Sequence, residues 1–168
     1  KDDKYIVVPT KSESIDTYAL RLKDLIEIVK ERTNKPKVNI IAHSMGGLVA
    51  RRYIQIFNAD DIDKLIMIVS PNSGIAGAAA NFCGVIGENR ECHDMLEDSL
   101  FINKLNDPSK QPGNVELHNI IGQGCGMKSG SGDGIVAAES AELKNAESFY
   151  INGTCSLSET FHTEILDI

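Results

Sequence analysis

Residues 38–47, Val-Asn-Ile-Ile-Ala-His-Ser-Met-Gly-Gly, set a short apolar run against a serine at a turn, with an apolar-periodic helix directly behind it. A strand that stops abruptly and becomes a helix forces the residue at the bend into a strained conformation and pushes its side chain outward. The neighbours of that residue must then be small. Ala42 two residues before Ser44 and Gly46 two residues after it leave room for the backbone to pass close, so an A-x-S-x-G pattern stands where G-x-S-x-G is commoner. Ser44 also lies at a helix N-terminus, where free backbone N–H groups and the positive end of the dipole favour developing negative charge. The backbone N–H of Met45 is the natural donor to such a charge. The alternative is that Ser44 merely caps the helix. What decides between a nucleophile and a cap is whether an acid and a histidine follow in workable places.

The surrounding chain reads as alternating strands and helices. Tyr5–Val8 is β-prone and stops at Pro9, and a polar loop follows it. Ile15, Ala19, Leu22, Ile26 and Val29 recur at spacings of four and three, one face of a helix that ends before Asn34 and Pro36. The strand Val38–Ile41 delivers Ser44; Leu48, Val49, Tyr53, Ile56 and Phe57 give the next helix its buried side, and Leu65–Val69 is a fully apolar strand. From residue 75 to 112 the alternation lapses into small residues, two cysteines and a helix expected over Met95–Leu105, which reads as an insertion. Strand signals resume at Val115–Ile121 and Phe149–Ile151, separated by a glycine-rich loop over 122–134, and a last helix is expected after Phe161. This order predicts an α/β fold: a mostly parallel sheet with helices on both faces and ligands at the carboxyl ends of its strands.

Two residues fall at that edge. Asp133 sits in Ser-Gly-Asp-Gly-Ile-Val beyond the strand ending near Ile121, with glycine on both sides to let the loop bend inward. His162 follows the last strand at the expected start of the final helix. His118 falls inside a strand, His93 in the insertion, and His43 beside Ser44 with its side chain aimed away from the bend, so they are poorer bases. Each signal alone has a plain structural reading, a Gly-Asp-Gly turn or a surface histidine. Together they give the order Ser, Asp, His at successive carboxyl-end loops.

Composition bounds the rest. The 168 residues are one domain's worth, 42% apolar and 24% charged, as in ordinary globular chains. A net charge of −7 with scattered Lys and Arg argues against nucleic acid or an anionic membrane as the main partner. The four cysteines lack the paired short spacings of a zinc site, and no metal is expected. They allow three connectivities. Cys83 with Cys92 would close a small loop and Cys125 with Cys155 would join two loops near the proposed site, with reduced buried thiols as the alternative. Disulfides would place the chain in an oxidising compartment.

At this point a resemblance becomes specific: over most of its length the chain resembles the lipase and esterase branch of the α/β-hydrolase family. Residues 40–47 resemble the nucleophile elbow, and 64–74 resemble the strand and turn that follow it in secreted lipases. Residues 98–106 are similar to the cap segment, and 132–143 resemble the acid loop. The resemblance implies Ser44 as nucleophile, His162 as general base and then acid, and Asp133 as its orienting partner. It implies carboxylic ester hydrolysis through an acyl-enzyme without a cofactor, an ester or lipid substrate, transient contact with lipid surfaces, and a secreted or extracytoplasmic setting. The insertion 75–112 becomes a cap whose Phe82, Val85 and Ile86 are suited to contact an acyl chain, against the plain reading of a buried structural excursion. In the family, a strand between those placed at Tyr5 and Val38 supplies the second oxyanion donor, and nothing here matches it. The expectation is therefore a single truncated domain lacking N-terminal strands, whose sheet is completed by an N-terminal segment or a second polypeptide. The rival functions are lipid or partner capture without catalysis, and acyl transfer to an acceptor other than water.

Overall fold

The computed structural model describes residues 13–57, 59–76, 89–110, 113–128, 130–156 and 160–168. The strand expected at Tyr5–Val8 lies outside them, as do the cap residues Phe82, Val85 and Ile86 and the Cys83 half of the first cysteine pairing.

Helix α1 (Ile15–Thr33) starts where Ser14 caps it, its side chain accepting from the N–H of Thr17, and stops at Asn34 in the left-handed region. Of its apolar face, Ile15, Ala19 and Ile26 are buried, while Val29 at the last turn is 37% exposed. Strand β1 (Val38–His43) leads through Ser44 into α2 (Met45–Ile56), and β2 (Ile62–Ile68) follows. The predicted single helix over Met95–Leu105 is instead two, α3 (Asn89–Met95) and α4 (Leu100–Leu105). The break is local chemistry: Ser99 is extended and its Oγ accepts from the N–H of Ile102, starting a new helix. Strand β3 (Glu116–Gln123) is followed by a hairpin of β4 (Cys125–Met127) and β5 (Gly130–Gly132), a short helix α5 (Ala138–Ala141), strand β6 (Glu147–Asn152) and a final turn of helix α6 (Phe161–Glu164).

Strands β1, β2, β3 and β6 form one sheet in that order, every neighbouring pair parallel. Parallel pairing puts all four carboxyl ends on one edge. Helices α1 and α2 pack on one face over Ala42, Leu65, Met67 and Leu117. On the other face Phe161 and Ile165 from the C-terminal turn cover Ile68, Ile120 and Ile151. Further along that face Ile41 and Phe149 are 70% and 49% exposed. Among the described residues β1 has β2 as its one sheet neighbour.

The described part of the insertion contributes to a buried cluster. Met95, Phe101, Ile102 and Leu105 form a buried cluster with Ile15 of α1 and Leu48 of α2.

Candidate active site

The bend after β1 forms as the residue types require. Ser44 has φ 52° and ψ −127°, a conformation unfavourable for any residue but glycine, and its side chain makes no capping bond. Its N–H is tied to the carbonyl of Ile68 at 2.8 Å and its carbonyl to the N–H of Gly47 at 3.1 Å. Val69, just beyond β2, is a second strained residue at φ 45°, held by its N–H on the carbonyl of Ile120. Strain at two adjacent strand ends persists because the sheet over-determines both. The small residue that the close packing demands is Gly47 rather than Gly46. A Cβ at Gly47 would lie 2.1 Å from Ser70 Oγ, whereas one at Gly46 would meet Ala42 Cβ at an ordinary 3.6 Å.

The three residues singled out from sequence meet in one chain of hydrogen bonds. His162 Nε2 lies 2.9 Å from Ser44 Oγ, and His162 Nδ1 lies 2.7 Å from Asp133 Oδ2. Asp133 is fully buried, His162 is 3% exposed and Ser44 5%. The second carboxylate oxygen of Asp133 accepts from the backbone N–H groups of Ile135 and Val136 at 2.8 and 2.7 Å, so the charge is held in a fixed orientation. Gly134 takes φ 96° to let the chain turn back and offer those groups. The tautomer this fixes has the proton on Nδ1 toward the carboxylate, leaving the Nε2 lone pair to face the serine hydroxyl. Such a ring can accept the hydroxyl proton and later return it.

Braces hold the site together. The N–H of Phe161 donates to the carbonyl of Asp133 at 2.9 Å, joining the turn that carries His162 to the loop that carries Asp133. A disulfide between Cys125 and Cys155 ties the hairpin after β3 to the segment after β6, as one of the expected pairings had it. His43, set aside as a base, contacts His162 instead: its Nε2 is 2.8 Å from the backbone oxygen of His162. The N–H of Met45 opens α2 beside Ser44, where the first helical N–H groups have no acceptor within the helix.

Sequence reasoning missed Arg51. Arg51 is 5% exposed, and its guanidinium hydrogen-bonds to amide and carbonyl oxygens rather than to a carboxylate. It donates to the carbonyl and Oδ1 of Asn72 and to Oδ1 of Asn106, and Asn72 in turn donates to Asn119 and to the carbonyl of Ala141. Burial lowers its pKa to about 10, which leaves it charged at neutral pH. The network fastens α2, the loop after β2, the end of α4, β3 and α5 to one another. The available signal was its place three residues after Leu48, on the stripe that faces the core.

Among the described residues no group of histidine, cysteine and carboxylate side chains is arranged to hold a metal, and no helix is long and apolar enough to cross a membrane. No curated protein matches the chain. Among solved structures it is similar to the mature form of the lipase BlEst2 from Bacillus licheniformis, at 15% identity and a TM-score of 0.71, over 84% of this chain and 66% of that one. The propeptide form of the same lipase matches at 16% identity and a TM-score of 0.68, over 85% of this chain and 36% of that one. Phospholipase PlaB from Legionella pneumophila matches at 19% identity and a TM-score of 0.59, over 80% of this chain and 36% of that one. The chain therefore spans less than two thirds of the length of these structures, and at such identities the likeness establishes the α/β-hydrolase fold. A family model for class 2 lipases matches residues 9–125, from ahead of α1 to the start of β4. The chain belongs to the class 2 lipase family.

Proposed function

We propose that the chain carries the catalytic centre of a serine carboxylic ester hydrolase acting on ester or lipid substrates. The observation that carries this reading is the continuous hydrogen-bonded line from Ser44 Oγ through the His162 ring to buried Asp133. His162 takes the hydroxyl proton as Ser44 attacks the ester carbonyl, and Asp133 holds the ring in orientation and stabilises the imidazolium that forms. Negative charge on the former carbonyl oxygen develops beside the N–H of Met45 and the positive end of α2. Collapse expels the alcohol, which takes the proton from His162. Water then enters by the same route in reverse and releases the acid. Each step moves a proton between oxygen and imidazole nitrogen and needs no metal or organic cofactor.

A second oxyanion donor belongs to this reading, and so does a strand on the side of β1 away from β2, which no strand among the described residues occupies. We place both on polypeptide other than the described residues, an N-terminal segment or a separate chain. Loss of that donor would typically cost about a hundredfold to a thousandfold in rate. The Cys125–Cys155 disulfide supports an extracytoplasmic setting.

The test is turnover of short p-nitrophenyl esters by wild type and by Ser44→Ala, with circular dichroism to check folding. Loss of turnover in a folded Ser44→Ala variant is the expected result. Retained turnover overturns the assignment, and a wild type that binds ester vesicles without hydrolysing them favours lipid capture instead.

A further inference from the structure

We propose that His43 is a positioning residue for this reaction: its ring N–H, donated to the backbone carbonyl of His162, fixes the catalytic imidazole relative to the nucleophile. The inference rests on the Ser44–His162 assignment and goes beyond it to a residue outside the proton-relaying line.

His162 is carried by a single short turn, Phe161–Glu164, whose first residue has no side-chain cap. A four-residue helix has little rigidity of its own, because forming one turn fixes several backbone dihedrals for one hydrogen bond. The turn is therefore only as well placed as the groups that grip it from outside. At its start Phe161 N–H reaches the carbonyl of Asp133 at 2.9 Å. One residue on, the carbonyl of His162 lies 2.8 Å from Nε2 of His43. The two imidazole rings stand 4.8 Å apart at 50° to each other, so the grip comes with ring contact as well.

What gives this contact catalytic meaning is where His43 sits. It is the last residue of β1, paired with Ile68 in the sheet, and it precedes Ser44 directly. One rigid strand end thus sets the serine hydroxyl with its next residue and the base with its own side chain. The hydroxyl-to-imidazole distance of 2.9 Å is then spanned by covalent geometry and one hydrogen bond, without passing through the rest of the fold. A carbonyl oxygen only accepts, so the contact requires the proton on Nε2 of His43. Burial, the largest influence, lowers the pKa of this ring against the bond to the His162 carbonyl, which raises it, and so favours the neutral form. In that neutral form the ring adds no charge that would oppose the imidazolium on His162.

Two measurements test the proposal. In the wild type, long-range nitrogen–proton correlation spectra of the imidazoles are expected to show His43 with its proton on Nε2. The Nδ1-protonated tautomer would overturn the proposal whatever any variant does. The second measurement is the rate and end point of fluorophosphonate labelling in His43→Met and His43→Gln, the first without the donor and the second with an N–H near the same place. His43→Met is expected to label about tenfold to thirtyfold more slowly than wild type, to the same end point, and His43→Gln to recover most of that loss, the scale of one well-placed hydrogen bond. A merely structural role would lower the end point, the fraction of competent protein, and leave the rate constant alone. Labelling of His43→Met at the wild-type rate refutes the proposal. Should that variant fail to fold, the tautomer decides. Failure of the underlying assignment looks different, because wild type would then not label at Ser44 at all.

Discussion

Adding one methyl group at Gly47 should separate helix propensity from packing, because the two push in opposite directions. Alanine in place of glycine inside α2 gains about 1 kcal/mol of intrinsic helix preference. The added Cβ, however, would stand 2.1 Å from Ser70 Oγ, 2.7 Å from Ser70 Cβ and 3.1 Å from Met67 Cγ. With an ordinary separation of about 3.5 Å, α2 or the end of β2 must yield by roughly 1 Å or more. Ser70 is 1% exposed, its Cβ cannot move away without the backbone, and Val69 beside it is tied to β3. Overpacking of this kind costs about 1–3 kcal/mol, so after the propensity gain Gly47→Ala should be destabilised by up to about 2 kcal/mol. Gly46→Ala, whose Cβ meets Ala42 at 3.6 Å, should keep its propensity gain and be neutral or slightly more stable. Urea unfolding followed by circular dichroism measures both, as shifts in midpoint at constant slope. A third variant, Gly47→Ala with Ser70→Gly, removes both of the closest clashing atoms and should recover most of the loss, which a double-mutant cycle reads as coupling. If Gly47→Ala is as stable as Gly46→Ala, the reasoning about how closely α2 approaches β2 is wrong.

Asp133→Asn keeps an acceptor for the Ile135 and Val136 N–H groups but presents the wrong partner to His162, so esterase activity should fall about a thousandfold to ten-thousandfold with little change in melting temperature. Asp133→Ala removes the acceptor as well and should additionally lose about 2–4 kcal/mol in urea unfolding, since two buried donors are orphaned. Arg51→Lys should cost about 1–3 kcal/mol by the same assay, because a compact ammonium does not span Asn72 and Asn106 together. Reduction of the Cys125–Cys155 bridge, which encloses a separation of 30 residues, should lower stability by about 3 kcal/mol, seen as an earlier thermal transition in reductant.

How much of this was legible beforehand follows from which forces leave a mark in sequence. Parallel strands buried on both faces read as continuous apolar runs, and Leu65–Val69 gave itself away as a strand for that reason, whereas Val38–Ile41, exposed at Asn39 and Ile41, was legible from its β-prone residues running straight into the serine turn. The order Ser44, Asp133, His162 was legible because each falls after a strand, at the one edge where parallel carboxyl ends gather. The hairpin Cys125–Met127 with Gly130–Gly132 was not, since glycine carries no side-chain alternation to betray a strand. The break between α3 and α4 was hidden by apolar residues on both sides of a single capping serine. Gly47 and Arg51 share another kind of invisibility: their importance comes from what lies opposite them, Ser70 in one case and two asparagines from distant segments in the other. His43 was read as pointing away from the bend, and only the tertiary fold brings the carbonyl of His162 to it.

The most direct test of the whole account is to trap the acyl-enzyme. Protein mixed with p-nitrophenyl butyrate, quenched in acid and digested for mass spectrometry, should carry one butyryl group, on the Ser44 hydroxyl, and carry none when His162 is replaced by alanine. Ester cleavage with no adduct at Ser44, or with the acyl group on another side chain, would contradict the claim that these three residues act as one proton-relaying nucleophile.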